Sequence, residues 1–305
     1  MTLPLAYDRV HEVVMGKLAI VSSLTAVVLV AGASVAGGQN ASVRLAVPGG
    51  EIVYDVTGPA TAPAIVMLHG AFMDRRSWDR EVAALAKTYR IVRLDLRPFG
   101  QSTVPEKPYS VPEDVLRLLD HLKIDRAYLM GHSFGGGVAL DFALLHPDRV
   151  AGLVLVSAGP GGFQQPDEER KAAMAIFAVI KEGDDAIVKT WIAHPMWVVS
   201  REREDLRKEI DETARRNLAP FRMTAPPFSP LMPPAIGRLG EVKTPTLVIV
   251  GDRDTAGNRQ ASEILGKQIA GAKFVVVPGA DHGLPLGWSR ELNAAVLDFI
   301  AATRR

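Results

Sequence analysis

The 305-residue chain contains no cysteine, which excludes disulfides, thiolate metal sites and a cysteine nucleophile. Any covalent catalysis must therefore use another side chain. An excess of one charge is also missing, because 35 Lys and Arg stand against 34 Asp and Glu. Without a net positive field nothing holds a nucleic-acid backbone, and nucleic acid is not an expected partner. The seven histidines are scattered, so no metal is implied. A phosphate loop and a dinucleotide fingerprint are both lacking, and no cofactor is expected. What is present is apolar mass, 48% of the residues, ample for a buried core.

No charged residue occurs over 18–43. The densest part, 18–30, follows Lys17 and gives way to small residues at 31–36. That order of basic, apolar and small residues is the pattern of a secretory signal. The expectation is a signal peptide or anchor over 1–38, with export to the periplasm or outside if it is cleaved. Asp8, Arg9 and Glu12 sit poorly ahead of a signal, and a start at Met15 would read normally. The competing reading is a retained anchor helix, since the uncharged stretch is long enough to span a bilayer. A membrane partner is expected only in that case.

Beyond residue 38 the pattern changes. Strand-like runs at 43–47 and 52–56 flank Pro48-Gly49-Gly50 and predict a hairpin. Short apolar runs follow at 64–68, 91–94, 127–130, 150–156, 246–250 and 274–277. Strands apolar on both faces belong to a buried parallel sheet. Helix-period segments lie between them at 78–87, 111–122, 135–146, 259–269 and 289–303. The alternation predicts an α/β layered domain with a mostly parallel sheet. One interruption, 161–240, carries helical patterns at 167–181 and 201–217 with no strand between them. It predicts a helical cap inserted into a core made of 39–160 and 241–305.

The chemistry centres on Gly131-His132-Ser133-Phe134-Gly135, at the end of an apolar strand and the start of a helix. A sharp strand-to-helix turn needs small residues on both sides, and it holds the serine strained and exposed. Four further motifs keep company with it: Leu68-His69-Gly70-Ala71 with Trp78 following, Asp95-Leu96-Arg97-Pro98-Phe99-Gly100-Gln101-Ser102, Gly251-Asp252-Arg253-Asp254, and Gly279-Ala280-Asp281-His282. On these residues the chain resembles the α/β-hydrolase family from about residue 42 to its end. The fold implied is an eight-stranded, mostly parallel, helix-flanked sheet with a helical cap.

The resemblance implies Ser133 as nucleophile, His282 as base and Asp254 as the acid that orients it, in the order this fold uses. Asp252 and Asp281 lie close enough to compete for the acid's place. A serine hydroxyl is a poor nucleophile at neutral pH, and histidine has the intrinsic pKa range to take its proton. The backbone N–H groups of Ala71 and Phe134 would receive the oxyanion, each worth ~3 kcal/mol of barrier. His69 and His132 are expected to brace loops, and Asp95 and Arg97 to form a buried pair. Pro98 stands where the family usually has glycine, which puts the path of that loop in question. Phe72, Phe221, Met223, Phe228 and Met232 are candidates for an apolar, substrate-facing wall, suiting an uncharged acyl or aromatic substrate. The expected activity is hydrolysis of a carboxylic ester or lactone. The same triad serves C–C bond hydrolysis, proline iminopeptidase and perhydrolase or haloperoxidase chemistry, and a non-catalytic binding protein on this fold is the alternative of another class. A serine at the elbow argues against epoxide and haloalkane chemistry, which needs an aspartyl ester.

Overall fold

The computed structural model describes residues 42–222 and 228–303. The expected signal or anchor at 1–38 and the candidate Met223 lie outside them. β1 (Val43–Val47) and β2 (Gly50–Thr57) pair antiparallel as the expected hairpin, Val47 opposite Gly50. Gly49 in the turn has φ 77°, a backbone conformation that suits glycine.

Six more strands complete the sheet: β3 (Ala64–Leu68), β4 (Arg90–Leu94), β5 (Ala127–His132), β6 (Val150–Val156), β7 (Thr246–Gly251) and β8 (Lys273–Val277). The eight run in the order β1-β2-β4-β3-β5-β6-β7-β8. β2 meets β4 antiparallel, and every pairing from β4 to β8 is parallel. Helices α1 (Asp79–Leu85), α2 (Val111–His121) and α3 (Phe134–Leu145) connect the first half. The stretch between β6 and β7 holds α4 (Asp167–Ala178), α5 (Asp184–Ala193) and α6 (Glu204–Arg216). α7 (Ala256–Gln268), α8 (Leu284–Gly287) and α9 (Ser289–Thr303) close the chain. Among the described residues no helix is long and apolar enough to cross a membrane.

The continuous apolar strands feed two cores because successive side chains point to opposite faces. Val66 and Leu68 of β3 join α2, α3 and α7 through Val115, Val138 and Leu265. Ile65 and Met67 join α1 and α9 through Leu85, Val296 and Phe299. β8, at the sheet's far edge, leaves Phe274 and Val276 exposed, so its apolar run is only half used for burial.

The β6–β7 insertion has a core of its own, built from Ile176, Val188, Trp191, Trp197, Leu206, Ile210 and Phe221 with Met73 and Leu286 of the sheet domain. Polar contacts fasten it at separate points. Arg80 of α1 grips Glu209 of α6 through two bonds of 2.9 and 2.8 Å. Asn217 accepts from the Gly100 N–H and donates to Asp74.

The loop after β4 departs from the expected pairing. Asp95 and Arg97 are both buried but do not pair with each other. Asp95 accepts from the Arg75 backbone, the Arg75 guanidinium and the Gln101 N–H. Arg97 reaches the other way, to a bidentate pair with Asp114 of α2 at 2.7 Å. Each charge finds its own partner, Asp95 in Arg75 and Arg97 in the planar fork to Asp114. The Arg97–Pro98 peptide is cis.

Candidate active site

Ser133 sits between β5 and α3 with φ 51° and ψ −114°. Non-glycine residues avoid that region at a cost of ~1–3 kcal/mol, and the surrounding packing must hold it. Its carbonyl accepts from the Gly136, Gly137 and Gly159 N–H groups, and its own N–H donates to the Val156 carbonyl. The glycines are required by space. A Cβ at Gly131 would lie 2.2 Å from the Gly135 carbonyl oxygen, and one at Gly135 would lie 2.2 Å from that of Leu68. The second contact presses the Leu68-His69-Gly70 loop onto the first turn of α3, the loop that leads to Ala71. Ala71 and Phe134 thus stand on two backbones in contact. The Phe134 N–H, at the first helical position, has no intrahelical acceptor by geometry.

His69 and His132 are the braces expected of them. His69 Nδ1 donates to the Gly70 carbonyl and Nε2 accepts from the Leu96 N–H, both at 2.8 Å. His132 Nε2 donates to the His282 carbonyl at 2.8 Å. Burial, helped by the neighbouring His282, pushes His132 down to about 3. It is neutral at physiological pH and braces the loop that carries His282 without adding charge.

His282 comes from the loop after β8, and its Nδ1 lies 2.9 Å from Asp254 Oδ2. A carboxylate only accepts, so the Nδ1 proton points at Asp254 and the Nε2 lone pair is left for the cavity side. Burial pulls the His282 pKa down, yet the charge and hydrogen bond of Asp254 outweigh it and hold the group above its ordinary value. Burial pushes Asp254 up, and His282 and Asn258 more than reverse it, so its pKa is lowered. The two remaining candidates for the acid are spoken for. Asp252 accepts from the Gly279 N–H, and Asp281 accepts from Val199, Ser200 and Gly283.

A cavity of about 370 Å³ brings Ser133 and His282 together. Its wall is mixed rather than apolar: Gln164, Gln165, Glu169, Arg170, His194 and Asn258 line it along with Phe163 and Met196. Phe72, Phe221, Phe228 and Met232, the described candidates for an aromatic wall, are not among the residues lining this cavity. Phe72 stacks on Phe221 at 4.5 Å and 10°, so each ring's face is satisfied by the other. Phe228 and Met232 border a separate cavity of about 150 Å³ with Phe134 and Asp141, and Met232 is 71% exposed.

Two side chains the motifs did not flag complete the surroundings. Asn258, one turn into α7, donates to Asp254 Oδ1 at 2.8 Å; its spacing of four from Asp254 was the available signal. Glu169 of α4 accepts from Thr255 Oγ1 and the Gly257 N–H, both at 2.7 Å. A carboxylate at a helix N-terminus meets unpaired N–H groups and the positive end of the dipole. No local pattern announces that contact, because its partners are 86 and 88 residues apart.

Comparison with known proteins agrees with this architecture. Residues 63–186 match the model of the alpha/beta hydrolase fold family. A Bacillus subtilis (strain 168) protein, provisionally named 2-succinyl-6-hydroxy-2,4-cyclohexadiene-1-carboxylate synthase, is 28% identical over 80% of this chain and 93% of its own. A Klebsiella pneumoniae 2-hydroxy-6-oxononadienedioate/2-hydroxy-6-oxononatrienedioate hydrolase is 28% identical over 78% of this chain and 86% of its own. The crystal structure of the enol-lactonase from Burkholderia xenovorans LB400 superposes with a TM-score of 0.71 at 28% identity, covering 85% of this chain and 98% of that one. With the eight-stranded sheet, the glycine-flanked elbow and these relatives in agreement, the chain has the α/β-hydrolase fold.

Proposed function

We propose that the chain is a serine hydrolase that cleaves a carboxylic ester or lactone through an acyl-enzyme on Ser133. The observation that carries this reading is the shared cavity. A serine at a strained elbow faces the same space as an imidazole whose far nitrogen is tied to a buried carboxylate. In the first half-reaction Ser133 Oγ attacks the carbonyl carbon as its proton passes to His282 Nε2. The oxyanion is received by the N–H groups of Ala71 and Phe134, and Asp254 stabilises the imidazolium. Collapse expels the alcohol oxygen, which takes the proton from Nε2. Water then repeats the sequence and releases the acid.

The cavity volume suits a small or medium substrate, and the β6–β7 insertion, which supplies most of its wall, serves as a cap. The mixed lining lets the uncharged acyl or aromatic substrate that the sequence suggested carry polar groups as well. A fluorophosphonate probe tests the reading. Labelling of the native protein that vanishes in Ser133→Ala supports it, and absence of labelling favours a binding protein on the same fold. A panel of p-nitrophenyl esters, lactones, aminoacyl amides and a dienone then assigns the bond cleaved. If only the dienone turns over, the ester assignment fails and C–C hydrolysis takes its place. Export by the segment at 18–36 rests on its residue pattern alone, and fractionation with and without the first 36 residues tests it.

A further inference from the structure

His194 ends α5 and opens the short 3-10 helix Pro195–Trp197 as its N-cap. Its Nδ1 accepts a hydrogen bond from the Met196 N–H at 3.2 Å. An imidazole whose Nδ1 accepts carries its proton on Nε2, so the opposite nitrogen is a donor. The residue is only 6% exposed, yet it lines the cavity that holds Ser133 and His282. Among the described residues no acceptor meets that second nitrogen. With that nitrogen unpaired and the residue on the cavity wall, the cavity offers room for an acceptor, and a hydrogen bond formed there is worth ~0.5–1.5 kcal/mol.

The ring is also held in place. Trp191 packs beside it, ring centroids 6.4 Å apart. The Met196 carbonyl accepts the His282 N–H at 3.2 Å, so the turn that fixes His194 also grips the triad histidine. Burial, with His282 acting in the same direction, lowers His194 to about 4. At neutral pH the group is an uncharged donor, which suits an uncharged oxygen better than a carboxylate. Glu169 and Arg170 share the same wall and oppose one another in charge.

We propose that His194 is a specificity-determining residue whose Nε2–H binds an uncharged oxygen of the substrate other than those of the scissile ester. The site then selects esters or lactones bearing an ether, hydroxyl or carbonyl oxygen over their hydrocarbon isosteres. This rests on the reading of Ser133 as nucleophile, and the test separates the two.

The experiment compares kcat/KM for p-nitrophenyl hexanoate with esters in which one chain methylene is replaced by oxygen at successive positions. A second series varies the alcohol side in the same way, with alkyl against alkoxyalkyl butyrates. Each rate is divided by that of hydroxide-catalysed hydrolysis to remove intrinsic reactivity, and active protein is counted by fluorophosphonate titration. At one position the oxygen-bearing ester is preferred by about fivefold or more. In His194→Phe that preference falls to near unity, whatever happens to the absolute rates. His194→Met, which also lacks the donor, gives the same loss and replaces the phenylalanine variant if that one does not fold. His194→Gln carries an amide nitrogen near the position of Nε2 and retains part of the preference. A wild-type protein that turns over the esters without preference at any position overturns the proposal, as does a preference that survives both donor-less variants. Failure of the probe to label Ser133 sinks the nucleophile assignment instead.

Discussion

Asp281 offers the sharpest test of how the proposed triad is held together. Its carboxylate is fully buried and accepts from the Val199 N–H at 2.9 Å, the Ser200 N–H at 2.7 Å, Ser200 Oγ at 2.6 Å and the Gly283 N–H at 2.9 Å. Among the described residues no salt bridge reaches it, so these four donors support it. Asp281→Ala removes the acceptor and leaves them facing a small void. Each buried donor left unpaired costs ~1–3 kcal/mol. If water rescues one of them, the variant loses on the order of 4 kcal/mol, a large part of the usual 5–15 kcal/mol margin of a domain. Because His282 is the next residue, the same change frees the imidazole's backbone, and fluorophosphonate labelling slows by about tenfold or more. Urea denaturation followed by tryptophan fluorescence gives the stability, and labelling kinetics give the site. A variant that unfolds within ~1 kcal/mol of wild type and labels at the wild-type rate would refute the argument that Asp281 sets the position of the base.

Asp254→Asn should lower ester turnover by roughly 10³–10⁴, because an amide nitrogen facing His282 Nδ1 stabilises the wrong tautomer; stopped-flow acylation measures it. In the wild type, log kcat/KM should climb with pH until His282 is neutral, and the limb should lie above the ordinary histidine range because Asp254 raises that pKa; an initial-rate profile from pH 5 to 9 locates it. Ser133→Gly should abolish labelling and raise stability by ~1 kcal/mol, since glycine takes the positive φ without strain; a melting curve reads the gain. Glu81 in α1 is fully buried, and burial pushes its carboxyl up to about 8. The folded state then keeps a proton that the unfolded chain gives up near pH 4.5, so stability falls as pH rises between about 4.5 and 8 and levels off above. Glu81→Gln should flatten that slope, matching wild type at pH 4 and exceeding it at pH 9 in chemical denaturation.

Most of what positions the candidate site could be read from the residues because it is local. The elbow at Ser133, the acid turn at Asp254 and the histidine loop are each a few residues of backbone with strict space requirements, and sequence records such requirements directly. The sheet was legible for a related reason, since a strand buried on both faces is apolar throughout. Contacts across the insertion were not. α5 is ten residues long, marginal alone, and owes its stability to packing against its neighbours. The stacking of Phe72 on Phe221, two of the residues proposed for a substrate wall, joins positions far apart in the chain and leaves no local pattern. Glu169, His194 and Asp281 gain their meaning only from partners brought close by folding.

Two carboxylates stitch the inserted helices to the loops that flank them: Glu169 reaches the start of α7 beside Asp254, and Asp281, next to His282, takes hold of residues 199 and 200. The segment is therefore not an interchangeable module. A chimera that imports a foreign one keeps its serine but loses the anchorage of the loops that carry Asp254 and His282. Grafts on this scaffold should carry Glu169, Val199 and Ser200 across with whatever new lining they bring.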